Sequence, residues 1–254
     1  MIGELQRASV WKRMSAGLLD LILLSIIAVG VALIFSAIFG YDEYYETMLD
    51  GYAKYEAEYG VVFDIPYEEY EAMTEAERAN FDAASEALSK DEVVMHAYTM
   101  MLSLTLPIVS FSLLFAYLIL EFAVPQLFKN GQTVGKKIFG IAVMRTNGVK
   151  INSICLFIRT VLGKYTIETM IPVLIVIMIF FLNTIGILGS AILLLILGIE
   201  LVLMFTTHNR SLIHDLLANT VTVDLASQMI FETEEQMLDY RKKLHAEEVA
   251  RKTY

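Results

Sequence analysis

The sequence predicts an all-α polytopic membrane protein with four transmembrane helices, an extracellular helical insert and a small cytoplasmic β element. Three observations carry this. The chain is 56% hydrophobic over 254 residues and only 19% charged, where soluble domains carry about a quarter charged residues, and its mean hydropathy is +0.57. Its apolar residues gather into runs long enough to cross a bilayer. Its charges divide by sign between the segments that join those runs.

Taken in order, residues 1–40 read as a cytoplasmic N-terminus and first transmembrane helix. Residues 21–39 are 19 positions without a charge, longer than the ~7–15-residue apolar stretch of a secretory signal, and no small-x-small cleavage site follows, so the segment reads as an uncleaved anchor. Residues 41–98 form an acidic, Tyr-rich insert with sixteen acids, three bases and nine tyrosines. Within it, Thr74 and Glu77 have capping-box spacing, and the following helix places Phe81, Ala84 and Leu88 on one face. Its tyrosines are expected to pack together and to meet lipid headgroups.

The second transmembrane helix is expected over 99–125. Residues 126–169 are expected to form a basic cytoplasmic hairpin and an amphipathic helix, with Asn147-Gly148 as the turn and 219–224 as a further strand. Residues 171–205 are 35 positions long. At ~1.5 Å per residue that is too long for one ~30 Å crossing, so 170–207 reads as third and fourth helices turning near 183–189. Residues 208–254 complete the chain as a cytoplasmic segment whose 232–252 stretch is helical, with Met237, Leu238, Leu244 and Val249 on one side.

Charge sets the expected orientation. Residues 1–13 carry three bases and one acid, and 125–167 carry seven bases and no acid. By the positive-inside rule both are cytoplasmic and the acidic insert is outside. The expected location is therefore a cell membrane, multi-pass, with both termini cytoplasmic. The tail, with six bases and eight acids, is neutral on the point.

Several chemistries are excluded or disfavoured. Cys155 is the one cysteine, so neither an internal disulfide nor a cysteine-based zinc site is available; a small apolar filler is the expected role. Residues 131–137, GQTVGKK, imitate a phosphate-binding loop, but three residues rather than four separate Gly131 from Gly135, and Lys137 stands where Ser or Thr is needed. Lys136 and Lys137 read instead as a basic loop at headgroup level. His208, His214 and Asp215 lack zinc-ligand spacing, and no nucleophile or paired catalytic carboxylates stand out. The expectation is no enzyme, no metal, no cofactor and no nucleic-acid partner.

The informative residues are ionisable groups inside the apolar runs: Asp20, Glu121 and Glu200. Each costs roughly 2.5–3.5 kcal/mol at the centre of a lone helix and less near its end. Arg13 and Asp20 are seven residues apart and share a helix face, ~10 Å from each other. Each is therefore expected to find its partner on another helix, and Arg159 and Arg210 are available. Glu168, at the expected start of the third span, belongs to the same layer. Two readings stand. The charges either lock helix packing, or Asp20, Glu121 and Glu200 serve a proton or cation pathway with Arg13 and Arg159 favouring the charged carboxylates.

Three segments then resemble a known family. VWKRMSAGLLDLILL (10–24), GQTVGKKIFGIAVMRTNGVKI (131–151, with IRT around Arg159 downstream) and SLIHDLLANTVTV (211–223) resemble, in order and spacing, the RDD family of bacterial integral membrane proteins. The residues that match the family's name are Arg13, Asp20 and Asp215. The 58-residue acidic insert is longer than the family pattern requires, and Asn219 stands where the family usually has glycine. The resemblance implies an expectation of transport, with proton-coupled cation exchange its sharpest form. The chain then reads as a small ion or solute transporter. The alternative is a non-transporting adaptor or assembly protein whose intramembrane charges are structural. Expected partners are the lipid bilayer and further copies of the chain, since four spans enclose little volume. The acidic insert and the C-terminal helix are the candidate surfaces for protein partners.

Overall fold

The computed structural model describes residues 6–128, 130–180, 185–207 and 211–252. Among them are four helices long and apolar enough to cross a membrane, Val10–Phe39, Glu92–Phe128, Ser153–Ile179 and Gly186–Thr206, and a single two-stranded sheet. The chain is an all-α polytopic membrane protein. The helices divide between two compact units, one of Met1–Ala28 with Leu113–Tyr254 and one of Val29–Ser112.

Helix α1, Val10–Phe39, starts earlier than its apolar run because Ser9 accepts the Lys12 amide in its first turn. In the unit of Val29–Ser112, α2 (Tyr41–Tyr59) follows after Gly40 alone, which takes the left-handed conformation at φ 67°. Then come α3 (Tyr67–Ala72) and α4 (Glu75–Lys90). The Thr74–Glu77 capping box forms as expected, and Ala84 and Leu88 are buried. Phe81 stacks edge-on with Phe63 and Tyr70, and Phe63 also meets Tyr52. Part of the tyrosine set therefore builds this unit's own core.

Helix α5 begins at Glu92, seven residues before the expected start at 99, because Asp91 caps it through the Val93 and Val94 amides. It runs to Phe128 with a π-helical stretch at Leu118–Ala123. A short α6 (Val134–Ile138) follows, capped by Thr133, and then β1 (Ile141–Arg145). Ile138 is the last residue of that helix.

Two further expectations need correction. The Asn147-Gly148 turn is present, with Gly148 at φ 90°, but its return strand shrinks to one bridge, Met144 to Lys150. Asn152 ends it by accepting the Cys155 amide and starting a helix. β1 pairs instead with β2 (Thr220–Asp224), antiparallel, Ile141 opposite Asp224. Ala142, Met144, Val221 and Val223 form the sheet's core. Asn219, before β2, sits at φ 52°, a left-handed backbone suited to glycine that asparagine also tolerates.

The second correction concerns the third span. The expected amphipathic helix and the span after 170 are one helix, α7, made of Ser153–Phe157, a π-helical stretch Ile158–Met170 and Ile171–Phe180. Its polar residues suggested an interfacial helix, but several are buried and paired, so the helix continues. In the wide turn the Ile171 amide reaches Thr166 O, and Pro172 follows where the helix returns to α geometry. α8 (Gly186–Thr206) packs back on α7, with Gly189 against Ile179. Residues 171–205 are thus two helices, and the expected turn lies partly outside the described residues. A short α9 (Ile213–Leu217) precedes β2, and α10 (Glu234–Lys252) closes the chain. On α10 Met237 is buried, whereas Leu238 and Val249 are half exposed.

Candidate functional site

The membrane-length helices bring their charged groups together within the unit of Met1–Ala28 and Leu113–Tyr254. Asp20, 4% exposed on α1, is held by the segment that leads into α6. Its Oδ1 accepts the Gly135 amide at 2.8 Å, and its Oδ2 accepts the Thr133 hydroxyl. This approach needs glycine, because a Cβ at position 135 would stand 2.3 Å from Ala16 O and 2.9 Å from Asp20 Cγ. The loop that resembled a phosphate cradle grips an internal carboxylate.

Lys136 corrects the headgroup-level reading. It is 7% exposed, with Nζ 3.4 Å from Glu121 Oε2, 3.2 Å from Thr133 Oγ1 and 3.8 Å from Asp20 Oδ2. Burial, joined by the Lys164 and Arg159 cations, outweighs Glu121 and Asp20 and pushes the Lys136 ammonium down to about 8. Lys137 is exposed, with its ammonium 3.8 Å over the Phe128 ring. The other oxygen of Glu121 accepts from Lys164 of α7, so Glu121 bridges two lysines. It lies in the π-helical stretch of α5, and Arg159, Lys164 and Glu168 lie in that of α7. Such wide turns recur at functional sites.

The second half of the network centres on Asp215 of α9. This fully buried carboxylate accepts from Arg159, from Arg13 at 3.2 Å and from Thr220 at 2.9 Å. Burial alone would raise its carboxyl, but Arg159, His214 and Arg13 outweigh burial and hold it well below the usual carboxylate range. Arg159 also donates to Thr220 at 3.1 Å. Arg13 and Arg159 therefore serve Asp215 rather than Asp20. Arg210 and His208 lie outside the described residues.

A third set forms at the start of α9, whose cap residue Leu212 has no side-chain acceptor. A carboxylate replaces it: Glu168 accepts the His214 amide at 2.9 Å, satisfying a donor that a helix start leaves open. Glu168 also meets His214 Nδ1 at 2.7 Å and 2.8 Å, while Nε2 lies 3.7 Å from Asp215. Burial, with Arg159, pushes the His214 imidazole below its ordinary value against the pull of the two carboxylates. Gly163 permits this contact, since a Cβ there would stand 2.5 Å from His214 Cβ. The buried Oε1 of Glu200 has no hydrogen-bond partner among the described residues.

A cavity of about 280 Å³ lies against this network. Asp20, Glu121, Lys136, Lys164, Glu168 and His214 line it together with Arg13 and Arg159, and Met14, Gly17, Leu21 and Met204 are among its other lining residues. The structure thus joins Asp20 to Glu121 through Lys136, and sets Glu200 apart, off the cavity wall. Lys164, Thr133 and His214 are members that sequence reasoning did not single out as partners. Glycines next to hydroxyl and lysine side chains are the sequence signal of such close packing. Among the described residues no group of three or more His, Cys, Asp or Glu is arranged to hold a metal.

No curated protein and no solved structure matches the chain. The RDD family model matches residues 7–219, a span that holds Arg13, Asp20, the Gly131–Lys137 loop segment, Arg159 and Asp215 together. That match covers most of the chain, and this integral membrane protein belongs to the RDD family.

Proposed function

We propose that the chain is a small ion or solute transporter, with proton-coupled cation exchange the sharpest form, and that it is not an enzyme. The observation that carries this reading is the cavity of about 280 Å³ whose wall includes Asp20, Glu121, Lys136, Lys164 and Glu168. Buried charge in a membrane is expensive and commonly lines a transport path. Here each lysine is a built-in competitor for the carboxylates. A cation that displaces the Lys136 ammonium from Asp20 and Glu121 leaves Lys136 to give up a proton, which a group held at about 8 can do. One cation in and one proton out follow from charge balance.

Orientation is part of the proposal. Both termini and the basic 125–167 segment are cytoplasmic in a bacterial cell membrane, and the acidic insert is outside, as the charge asymmetry supports. Further copies of the chain would complete a pathway that four spans alone enclose poorly.

A second reading has its own support. Asp20, Glu121 and Asp215 are each matched to donors, as in a network that only fixes helix packing for an adaptor or assembly protein. Reconstitution separates the two. In vesicles under an imposed sodium gradient, the wild type should drive proton flux and Asp20→Asn should reduce it at least tenfold. Wild-type flux no greater than that of empty vesicles would reject transport and leave the adaptor reading.

A further inference from the structure

We propose that the cation exchanged through the cavity is an organic ammonium with a short apolar body, seated where the Lys136 ammonium now lies. The inference rests on the transport reading and names the substrate class for that same site.

The site is already built around an ammonium. Lys136 Nζ bonds Thr133 Oγ1 at 3.2 Å and Glu121 Oε2 at 3.4 Å, and pairs with Asp20 Oδ2 at 3.8 Å. An ammonium carries three N–H donors and no acceptor, so these three oxygens face it as a set. All three residues are buried. The other carboxylate oxygens are engaged, Asp20 Oδ1 by the Gly135 amide and Glu121 Oε1 by Lys164. A divalent metal ion takes about six to eight oxygens close around it, more than this set supplies. An entering ammonium brings one positive charge and Lys136 gives one proton to solvent, so the charge of the wall is unchanged.

The rest of the cavity shows what that ammonium is attached to. Met14, Leu21 and Leu24 of α1 and Met204 of α8 line it, and Met14 and Leu21 are more than half exposed. These side chains offer nothing to an inorganic ion and a favourable surface to methylene groups. Methionine also adapts to bodies of differing shape. At about 280 Å³ the space lies at the small end of ligand cavities, which run to about 1,000 Å³, so the body is a few carbons long. Sodium can meet the same oxygens but gains nothing from the apolar side, and is the weaker occupant.

Thermal denaturation of the purified protein in detergent tests the site without a transport assay, because a ligand of the folded state raises the midpoint. n-Butylammonium should stabilise the wild type, with affinity growing about fourfold per methylene from methylammonium upward. Butyltrimethylammonium, which has the same body and no N–H, and sodium should each bind about tenfold or more weakly than n-butylammonium. Lys136→Ala vacates the ammonium position. At pH 7 it should bind n-butylammonium about tenfold more tightly than the wild type, which must first deprotonate a group held at about 8. Should Lys136→Ala fail to fold, the wild-type series decides alone. Equal responses to the two butyl cations, no dependence on chain length, or no gain in a folded Lys136→Ala overturns the proposal. Alkylammonium binding by a protein that moves no ions would reject transport and keep the site. Sodium-driven flux without alkylammonium binding would reject the substrate class and keep transport.

Discussion

At the scale of single residues, each buried charge is held by a stated set of partners, and its removal has a stated consequence. Asp215→Asn leaves Arg159 and Arg13 without their carboxylate. Breaking a buried pair in this way costs ~3–5 kcal/mol, so a large fall in thermal stability in detergent is expected. Asp224→Asn, which breaks the partly exposed contact with Lys12, should cost no more than ~1 kcal/mol. Comparable losses in the two variants would contradict the burial assigned to Asp215. Lys136 gives a pH signature. Its folded value of about 8 lies below the ordinary 10.5, so between these values the unfolded chain binds more protons than the folded one. Stability from this group therefore rises with pH across that window and is flat below it. Thermal scans from pH 7 to 10 should show the rise in wild type and not in Lys136→Arg, which keeps its charge throughout.

The same residues show how much the sequence makes readable. Asp20 stands out because a carboxylate in an apolar run is conspicuous, and seven-residue spacing on a helix rules out Arg13 as its direct partner. The tertiary partners are a different matter. Lys136 sits between a glycine-rich turn and another lysine, a composition shared by solvent-facing loops. Nothing local tells which of two adjacent lysines points inward. Glu168 follows two cations at helical spacing, so its segment reads as interfacial until those cations are seen to be paired.

At the scale of elements, two close approaches organise the network. The start of α6 lies on α1 through Gly135, and α9 lies on α7 through Gly163. Alanine at either position puts a Cβ within 2.3–2.5 Å of Ala16 O or His214 Cβ, an overpacking that costs typically ~1–3 kcal/mol. We expect Gly135→Ala and Gly163→Ala each to lower thermal stability by that order. Gly198→Ala should not, since nothing lies within 4 Å of the added carbon. A neutral Gly163→Ala would mean that α9 does not pack as described. Helix existence and the capping box at Thr74 follow from local pattern and are readable in advance. The π-helical stretches of α5 and α7 and the pairing of β1 with β2 are not, because each depends on residues far apart in the chain.

At the scale of the whole molecule, the proposed transport runs through the small charged cavity. Gly17 offers the most direct test. It lines the cavity, and nothing lies within 4 Å of a Cβ added there, so a larger side chain starts in open space beside the cavity and removes none of the paired charges. Replacing a helical glycine also favours the helix by up to ~1 kcal/mol. The measurement is sodium-driven proton flux in vesicles for the wild type and Gly17→Phe, with equal thermal stability checked first. The account predicts that Gly17→Phe is as stable as the wild type and loses at least nine-tenths of its flux. Undiminished flux in a stable Gly17→Phe protein would contradict it.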